Sequence, residues 1–180
     1  MKKKDLLIYS WNDVASISRN LALTIFKNEK IDLVVGITRG GCCIATIISE
    51  MLRKNMITLC STRRENDVEI HEEPVLISSS CENVISGKRI LLVDEIIVTG
   101  KTLEVVKKEL IKLGALSVKT CVIANRSKGK YESDYCFVRT NKNNVIFPWD
   151  YLIIGDKNKV IVHPEYKNMC EELEVDLYGM

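Results

Sequence analysis

The chain has 180 residues, of which 46% are hydrophobic and 28% charged, and its formal net charge is +2. This length and composition predict one globular domain with a substantial core, and the near balance of charge gives no reason to expect a nucleic-acid or membrane-surface partner. No apolar run approaches the roughly 20 residues of a membrane span. The Lys-rich N-terminus is not followed by the apolar segment of a signal peptide.

The seven cysteines show no metal-ligand spacing. None forms a Cys-x-x-Cys pair, and the two histidines, His71 and His163, stand near none of them in sequence. Most of the cysteines lie in apolar runs. We therefore interpret them as small buried hydrophobic residues of a reducing, cytoplasmic compartment, and not as a zinc site or a disulfide framework.

Helix and strand patterns alternate at the start of the chain. Ser10 and Asp13 form a capping-box pattern, and the apolar residues that follow at helical spacing predict a helix over 11–27. The continuous apolar run 33–37 predicts a strand buried on both faces. A polar segment follows this strand, and a second helix comes after it.

The pattern fails between residues 62 and 87. Residues 56–61 still predict a strand, but charged residues then crowd together between 63 and 73, and Val75 to Ile77 is the only strand-like piece. We expect a long excursion with a short hairpin. Excursions of this length in a compact domain are often lids over a site, and we expect residues 63–73 to close over this one.

The stretch 89–102 organises the rest of the chain. An apolar run from Ile90 to Val93 leads into the adjacent acids Asp94 and Glu95, and a turn of small and polar residues then begins a helix over 102–113, which Gly114 caps. A buried strand that ends in carboxylates and feeds a helix N-terminus suits a phosphate ester and its Mg²⁺. The helix offers free N–H groups, and the carboxylates can bind hydroxyls or the metal.

The remaining elements complete an α/β pattern. Strands are predicted at 118–124, 135–138, 145–147 and 160–162, and a weak acidic helix at 165–173. Strands that alternate with helices predict a parallel sheet flanked by helices. Ligands bind beyond the carboxyl ends of such strands. Polar loops follow three of these ends, at 38–41, 94–102 and 125–130, so we expect the three loops to converge on one crevice.

Gly100-Lys101-Thr102 also invites comparison with the P-loop of nucleoside-triphosphate-binding proteins. That motif requires a glycine at the position held by Glu95. A cradle of backbone amides cannot form in the same way around Glu95, and its charge would repel phosphate. The P-loop interpretation therefore fails.

The segment Asp94-Glu95-x-x-x-Thr99-Gly100-Lys101-Thr102 after an apolar strand resembles the phosphoribosyl pyrophosphate (PRPP) motif of type I phosphoribosyltransferases. Thr38-Arg39-Gly40-Gly41 stands where this family carries its pyrophosphate loop. Phe147-Pro148-Trp149-Asp150, together with Trp11, is similar to the bacterial xanthine–guanine enzymes and their hypoxanthine-transferring relatives. The resemblance spans residues 8 to 153.

The resemblance implies a role for each matching residue. The implied PRPP-binding residues are Thr38, Arg39, Gly40, Gly41, Asp94, Glu95, Val98, Thr99, Gly100, Lys101 and Thr102. The implied base-binding residues are Val98, Asn125, Arg126, Asn144, Val145, Trp149 and Asp150. Asp94, Glu95 and Arg39 would be catalytic, and Asp94 and Glu95 would hold Mg²⁺. The family further implies a homodimer and a single domain over 1–180, with a small C-terminal hood over roughly 125–180.

The base-binding half departs from the family. Val98 stands where the purine enzymes usually have a proton-transferring Asp, and Asn144 where they have an aromatic residue stacked on the purine. Either Asn125 or Arg126 stands where they have a Lys that donates to the purine 6-oxo group. We therefore expect a phosphoribosyltransferase that uses PRPP and a nucleobase, and the expected base is a purine such as hypoxanthine, guanine or xanthine. The alternative is a regulatory PRPP or nucleotide sensor that has lost catalysis.

Overall fold

The computed structural model describes residues 6–62, 64–65, 68–69, 75–76, 82–142, 144–155, 159–164 and 166–167. The chain forms two compact units. The larger spans Ser16–Thr140, and the smaller combines Met1–Ala15 with Asn141–Met180. The smaller unit thus includes the N-terminus, whereas the predicted hood began at about 125 and lay wholly in the latter part of the chain. That the chain acts as one domain with a hood stays a prediction.

The described residues form strands and helices in the following order: β1 (Leu6–Ile8), α1 (Trp11–Asn28), β2 (Leu33–Thr38), α2 (Gly40–Leu52), β3 (Asn55–Thr62), β4 (Arg64–Glu65), β5 (Val68–Glu69), β6 (Val75–Leu76), α3 (Glu82–Ile85), β7 (Arg89–Ile97), α4 (Lys101–Lys112), β8 (Ser117–Asn125), β9 (Tyr135–Arg139), β10 (Asn144–Ile146), β11 (Leu152–Ile154) and β12 (Val160–Val162). No helix among these residues is both long enough and apolar enough to cross a membrane.

Helix α1 begins at the predicted capping box. The Asp13 N–H donates to Ser10 Oγ at 3.1 Å, and the Ser10 N–H donates back to Asp13 Oδ2 at 2.9 Å. Each side chain therefore satisfies a backbone donor that the helix leaves without a partner. The Ser10 hydroxyl also donates to Asp13 Oδ2 at 2.7 Å, and this bond, followed by the one from the Ser10 N–H, lowers the pKa of Asp13. The predicted helix is confirmed, with its end at Asn28.

A six-stranded sheet forms the larger unit, with the strand order β6-β3-β2-β7-β8-β9. Strands β3, β2, β7, β8 and β9 are parallel to one another, and only the edge strand β6 is antiparallel to its neighbour. The predicted α/β class is confirmed. From β2 the chain moves to β3 on one side and later to β7 on the other, so the strand order reverses between β2 and β7. Crevices at such reversals are the usual ligand sites of open parallel sheets.

The two central strands are buried on both faces. Residues 33–37 of β2 and 90–94 of β7 are all buried. Helix α4 covers one face of the sheet with Leu103, Val106 and Leu110, which join the strand residues in one hydrophobic cluster. Burial of aliphatic side chains on this scale supplies about 1.5–3 kcal/mol for each of them, so the sheet is a firm base for the loops at its carboxyl edge.

Asp32 and Arg89 join the opposite edge of β2 and β7. Arg89 Nε and Nη2 donate to the two carboxylate oxygens of Asp32 at 2.7 and 2.6 Å, and the Arg89 N–H donates to Oδ2 at 3.0 Å. The Asp32 N–H in turn donates to the Arg89 carbonyl at 2.8 Å. This bidentate pair fixes the relative positions of the two strands that carry the candidate site.

Helix α4 ends as predicted at Gly114. The N–H groups of Gly114 and Ala115 donate to the carbonyls of Ile111 and Leu110 at 3.0 Å each, which is the Schellman pattern. Gly114 has a φ of +88°, a conformation that residues with a Cβ rarely adopt.

The excursion between β3 and β7 is only partly described. Strand β6 pairs with the end of β3, which agrees with the strand-like piece predicted at 75–77. The short strands β4 and β5 pair antiparallel, which agrees with the short hairpin predicted in this excursion, whereas α3, which follows, was not predicted. They are two to four residues long and carry no periodicity. The predicted lid over 63–73 falls largely outside the described residues.

The smaller unit contains two short sheets. Strand β1 is parallel to β10, and β11 is antiparallel to β12. Its core includes Leu6, Ile146 and Tyr151. The sequence predicted β10 and β12 but did not predict β1 and β11, although all four strands are three residues long.

Candidate active site

The candidate site lies at the carboxyl edge of β2 and β7. Gly36 of β2 pairs with Val93 of β7, so the chain beyond each residue continues in the same direction. Two segments therefore emerge side by side. One is the glycine loop, defined as Thr38–Gly41, and the other begins with the acidic pair, defined as Asp94 and Glu95.

The glycine loop packs directly on the acidic pair. A Cβ built on Gly40 would lie 2.6 Å from Cδ of Glu95, and one built on Gly41 would lie 2.7 Å from the Val93 carbonyl oxygen and 2.9 Å from Cα of Asp94. Real Cβ atoms do not approach other atoms so closely. The sequence suggested glycines here so that backbone could approach an anion; the structure adds that both are needed for the loop to contact β7.

Gly40 and Gly41 also open helix α2, which therefore starts before the apolar pattern that predicted it. The peptide bond between Thr38 and Arg39 is cis. The Cys42 N–H donates to the Arg39 carbonyl at 3.1 Å, and no side chain caps the helix. A helix N-terminus of this kind attracts anions through its backbone N–H groups and its dipole. The side chain of Arg39 is exposed at the same end.

Asp94 is buried, whereas Glu95 is partly exposed. Asp94 Oδ1 accepts a hydrogen bond from the Glu95 N–H at 2.9 Å. Burial, together with the neighbouring charge of Glu95, raises the pKa of Asp94 well above its usual value. Two carboxyl groups so placed favour a bound cation or hydroxyl donors, because either would relieve their mutual repulsion.

The two thiols in the first turn of α2 lie in an environment that disfavours the thiolate form. Burial raises the pKa values of Cys42 and Cys43, and the negative charge of Glu95 adds to the effect at both. The thiolate is the reactive form, so a raised pKa makes these cysteines inert near neutral pH. The five cysteines within the described ranges are free thiols.

A second helix N-terminus follows the acidic pair. We call the segment Val98–Thr102 the Gly-Lys-Thr turn. Gly100, with φ +90°, is the N-cap of α4, and Thr99 Oγ1 accepts a hydrogen bond from the Lys101 N–H at 3.3 Å. Thr99 and Lys101 are exposed, and Val98 is 49% exposed. The turn thus combines amide donors, a hydroxyl and a cation, all of which suit a phosphate group.

The β8–β9 loop, defined as Arg126–Asp134, is the third segment. The Arg126 N–H donates to the Ile97 carbonyl at 2.8 Å, which places this loop beside the end of β7. Asn125 is buried; its Nδ2 donates to the Tyr131 carbonyl and its Oδ1 accepts from the Ser127 N–H, each at 2.9 Å. The side-chain amide of Asn125 therefore holds the loop. Of the two candidates for the base-contacting position, Asn125 thus has its side-chain amide engaged within the loop.

Sequence reasoning missed Tyr131, whose ring lies against Gly100. An aromatic residue in an otherwise polar loop was the available clue. The structure therefore brings the loop at 94–102 into contact with each of the other two predicted loops. That the three loops converge on one crevice stays a prediction. Glu95 meets Gly40 of the glycine loop, and Tyr131 of the β8–β9 loop meets Gly100.

The other predicted base-binding residues belong to the smaller unit. Asn144 and Val145 lie half-buried in β10, opposite Leu6 and Leu7 of β1. Asp150 closes the turn that follows, because its Oδ2 accepts a hydrogen bond from the Phe147 N–H at 3.1 Å.

The ring of Trp149 is part of an aromatic stack. It lies parallel to Phe147, with ring centroids 5.0 Å apart, and is tilted against Trp11 at 5.8 Å. Phe147 stacks in turn on Tyr9 at 5.5 Å. One face of Trp149 is thus covered by Phe147, and these contacts account for the residue as an aromatic corner of the smaller unit.

The described residues contain no cluster of three or more His, Cys, Asp or Glu side chains that would form a metal site by themselves. Mg²⁺ is usually held by one or two carboxylates and completed by substrate oxygens and water. Asp94 and Glu95 provide that minimal oxygen set, so the residues present fit a magnesium ion that arrives with a phosphorylated substrate.

The chain is similar to known proteins over most of its length. The family model of the phosphoribosyl transferase domain matches residues 8–153. The chain is 30% identical over 145 residues to xanthine-guanine phosphoribosyltransferase of Cereibacter sphaeroides, covering 78% of this chain and 84% of that protein. It is 31% identical over 108 residues to hypoxanthine/guanine phosphoribosyltransferase of Methanobrevibacter ruminantium, covering 57% of this chain and 56% of that protein.

A solved structure shares the fold. The crystal structure of purine phosphoribosyltransferase from Pyrococcus horikoshii has a TM-score of 0.70 and 29% sequence identity, and the similarity covers 85% of this chain and 99% of that one. The shared architecture includes the parallel sheet on which the three loops stand.

Proposed function

The chain belongs to the phosphoribosyl transferase domain family, and from this premise we propose that it moves the 5-phosphoribosyl group of PRPP onto a purine, such as hypoxanthine, guanine or xanthine, with release of pyrophosphate. In this reaction the bond between C1 and the pyrophosphate oxygen breaks, and a bond between C1 and a ring nitrogen forms. The observation that carries the proposal is the contact of the glycine loop with the acidic pair at the strand-order reversal.

The residues of the larger unit divide the work of binding PRPP. The backbone of Gly40 and Gly41 and the guanidinium of Arg39 receive the pyrophosphate and stabilise the charge that it gains on leaving. Asp94 and Glu95 accept hydrogen bonds from the ribose hydroxyls and stabilise the positive charge that develops at C1. The Gly-Lys-Thr turn holds the 5-phosphate, which fixes C1 for attack.

The family generally uses Mg²⁺ together with PRPP, and Asp94 and Glu95 are the residues that would hold it here. Bound there, the ion would neutralise charge on the pyrophosphate. Asp94 is buried next to Glu95, and a cation bound there would offset the repulsion between the two carboxylates.

Val98 determines how the acceptor must lose its proton. A valine cannot accept a proton from the attacking nitrogen, so the proton must pass to water or to the departing pyrophosphate. General acid–base catalysis is worth roughly 10²–10⁴-fold, so purine transfer proceeds without it, but slowly. Arg126, at the start of the β8–β9 loop, is the cation that would bind a purine oxo group.

A pyrophosphate-release assay with PRPP, Mg²⁺ and a panel of purines, pyrimidines and small amines tests the proposal. Turnover with a purine is the expected result. PRPP binding without turnover on any acceptor would instead support the non-catalytic sensor, an alternative for which the comparisons offer no evidence. The double variant Asp94→Asn/Glu95→Gln is the control: unchanged PRPP binding in it would contradict both functions.

A further inference from the structure

Tyr131 covers Gly100, which is buried although its neighbours in the Gly-Lys-Thr turn are exposed. Val98, Thr99 and Lys101 are exposed, whereas Gly100 is buried. A Cβ built on Gly100 would overlap the Cβ, Cγ and Cδ2 atoms of Tyr131. The aromatic ring therefore bears directly on the glycine, and Gly100 has no room for a side chain in addition to its positive φ.

Two buried side chains fix the position of Tyr131. Asn125 Nδ2 and Ser127 Oγ both donate to the Tyr131 carbonyl at 2.9 Å, and the Tyr131 N–H donates to Ser127 Oγ at 3.2 Å. Asn125 and Ser127 are only 4% and 3% exposed. Hydrogen bonds shielded from water in this way are strong and directional, so the backbone that carries the ring is held rigidly.

The side chain of Tyr131 is packed against apolar residues and is uncharged. It packs against the hydrophobic cluster of the sheet and α4. Burial, and then the charges of Asp134 and Glu104, raise the pKa of Tyr131, so the hydroxyl stays protonated near neutral pH. The residue thus contributes shape and rigidity at this place and carries no charge to the phosphate.

We propose that Tyr131 is a positioning residue for the ester phosphate of the substrate, which acts through Gly100 to hold the Gly-Lys-Thr turn in its binding conformation. This inference rests on the proposed function and deepens it. Tyr131 should affect the binding of only one end of PRPP, because it contacts the turn assigned to the 5-phosphate. The pyrophosphate is assigned to the glycine loop, which begins a different helix. The expected signature is therefore a split between the two anions.

Calorimetric binding of ribose 5-phosphate and of pyrophosphate, each with Mg²⁺, tests for this split in the whole protein. We expect Tyr131→Ala to weaken ribose 5-phosphate binding, and to raise KM for PRPP, by about 10- to 100-fold, with pyrophosphate affinity unchanged. Tyr131→Phe keeps the ring and should bind both ligands as the wild type does. Tyr135→Ala is the matched control, because it removes a half-buried tyrosine of the same unit that bonds Glu29 instead.

Tyr131→Leu keeps an apolar side chain and serves if the alanine variant does not fold, with circular dichroism and thermal unfolding as the check. Equal loss of affinity for both ligands would indicate a general structural role and overturn the inference. Unchanged affinity for ribose 5-phosphate in both Tyr131→Ala and Tyr131→Leu would also overturn the inference. In these two cases the wild type still binds PRPP and the proposed function stands; a wild type that does not bind PRPP would overturn the proposed function and this inference together.

Discussion

Glu95 fills the space that a side chain at Gly40 would occupy. A Cβ at residue 40 would lie 2.6 Å from Cδ of Glu95 and 2.7 and 2.9 Å from its carboxylate oxygens. The neighbouring Gly41 meets backbone atoms of β7 instead. The two glycines are adjacent in sequence, but Gly40 faces a side chain that can move and Gly41 faces backbone that cannot. We therefore expect different effects when each is replaced by alanine.

Gly40→Ala should lower activity without unfolding the protein. The new methyl group would meet only the end of the flexible Glu95 side chain, which can swing away, but the carboxylate would then leave its position. We expect kcat/KM to fall by about 100-fold with little change in the thermal midpoint. Gly87→Asn is the matched control, since Gly87 has open space around it and its φ of +71° is one that asparagine tolerates. Full activity in Gly40→Ala would refute this role for the contact.

Gly41→Ala should instead lower stability. Its Cβ would lie 2.7 Å from the Val93 carbonyl oxygen and 2.9 Å from Cα of Asp94, and neither atom can move without displacing β7. Overpacking against a buried backbone costs about 1–3 kcal/mol. Urea unfolding of the two alanine variants side by side would measure the difference. A Gly41→Ala variant as stable as Gly40→Ala would be inconsistent with this packing.

Asp94→Asn should abolish most activity and raise stability. The substitution keeps the oxygen that accepts the Glu95 N–H, now an amide oxygen, and removes a buried carboxyl group next to a second one. We therefore expect a higher thermal midpoint in the absence of ligands, together with a loss of kcat/KM of at least about 100-fold. A drop in both quantities would indicate that the buried carboxyl group supports the fold, contrary to this prediction.

Val98→Asp should increase purine transfer. Val98 is 49% exposed, so an aspartate at this position remains solvated and should not disturb the fold. A carboxylate beside the acceptor nitrogen could take its proton, and we expect kcat for a purine to rise by about tenfold or more. Val98→Asn has the same shape and cannot accept a proton, so it should show no gain. An equal effect of the two substitutions would exclude proton transfer as the cause.

Asp32→Asn should change how stability depends on pH. The side-chain and backbone hydrogen bonds from Arg89 lower the pKa of Asp32 well below its usual value. Because the folded pKa is below the unfolded value of about 4, the pair stabilises the protein above that pH and is lost as the pH falls. The wild type should be the more stable at pH 7, and the two midpoints should converge on acidification. Glu50→Gln, which removes an exposed ion pair with Arg53, should retain the wild-type pH dependence.

The sequence predicted the central part of the fold well because long elements carry repeated information. Helix α1 and strands β2, β7 and β8 each show an apolar run or a helical spacing, and their order alone implied a parallel sheet with loops at one edge. The adjacent acids Asp94 and Glu95 interrupt the buried strand β7 two residues before its end. Charged residues in such a strand are conspicuous, which is why the sequence drew attention to this candidate site.

The features that the sequence did not predict depend on contacts between distant residues. Tyr131 is thirty-one positions from the glycine that it covers, and no local pattern connects the two. The hydrogen bonds that Asn125 makes within its own loop could not be predicted either, because an asparagine is suited to base recognition as well as to a turn. Strand β1 escaped because its partner β10 is more than a hundred residues away.

The aromatic stack has a spectroscopic consequence. Trp11 and Trp149 are the only tryptophans of the chain, and both belong to the smaller unit, where they lie 5.8 Å apart. Intrinsic tryptophan fluorescence therefore reports on that unit, while the tyrosines at 131 and 135 are the strongest near-ultraviolet chromophores of residues 16–140. Emission excited selectively at the tryptophans would consequently follow the melting of the smaller unit without any introduced label.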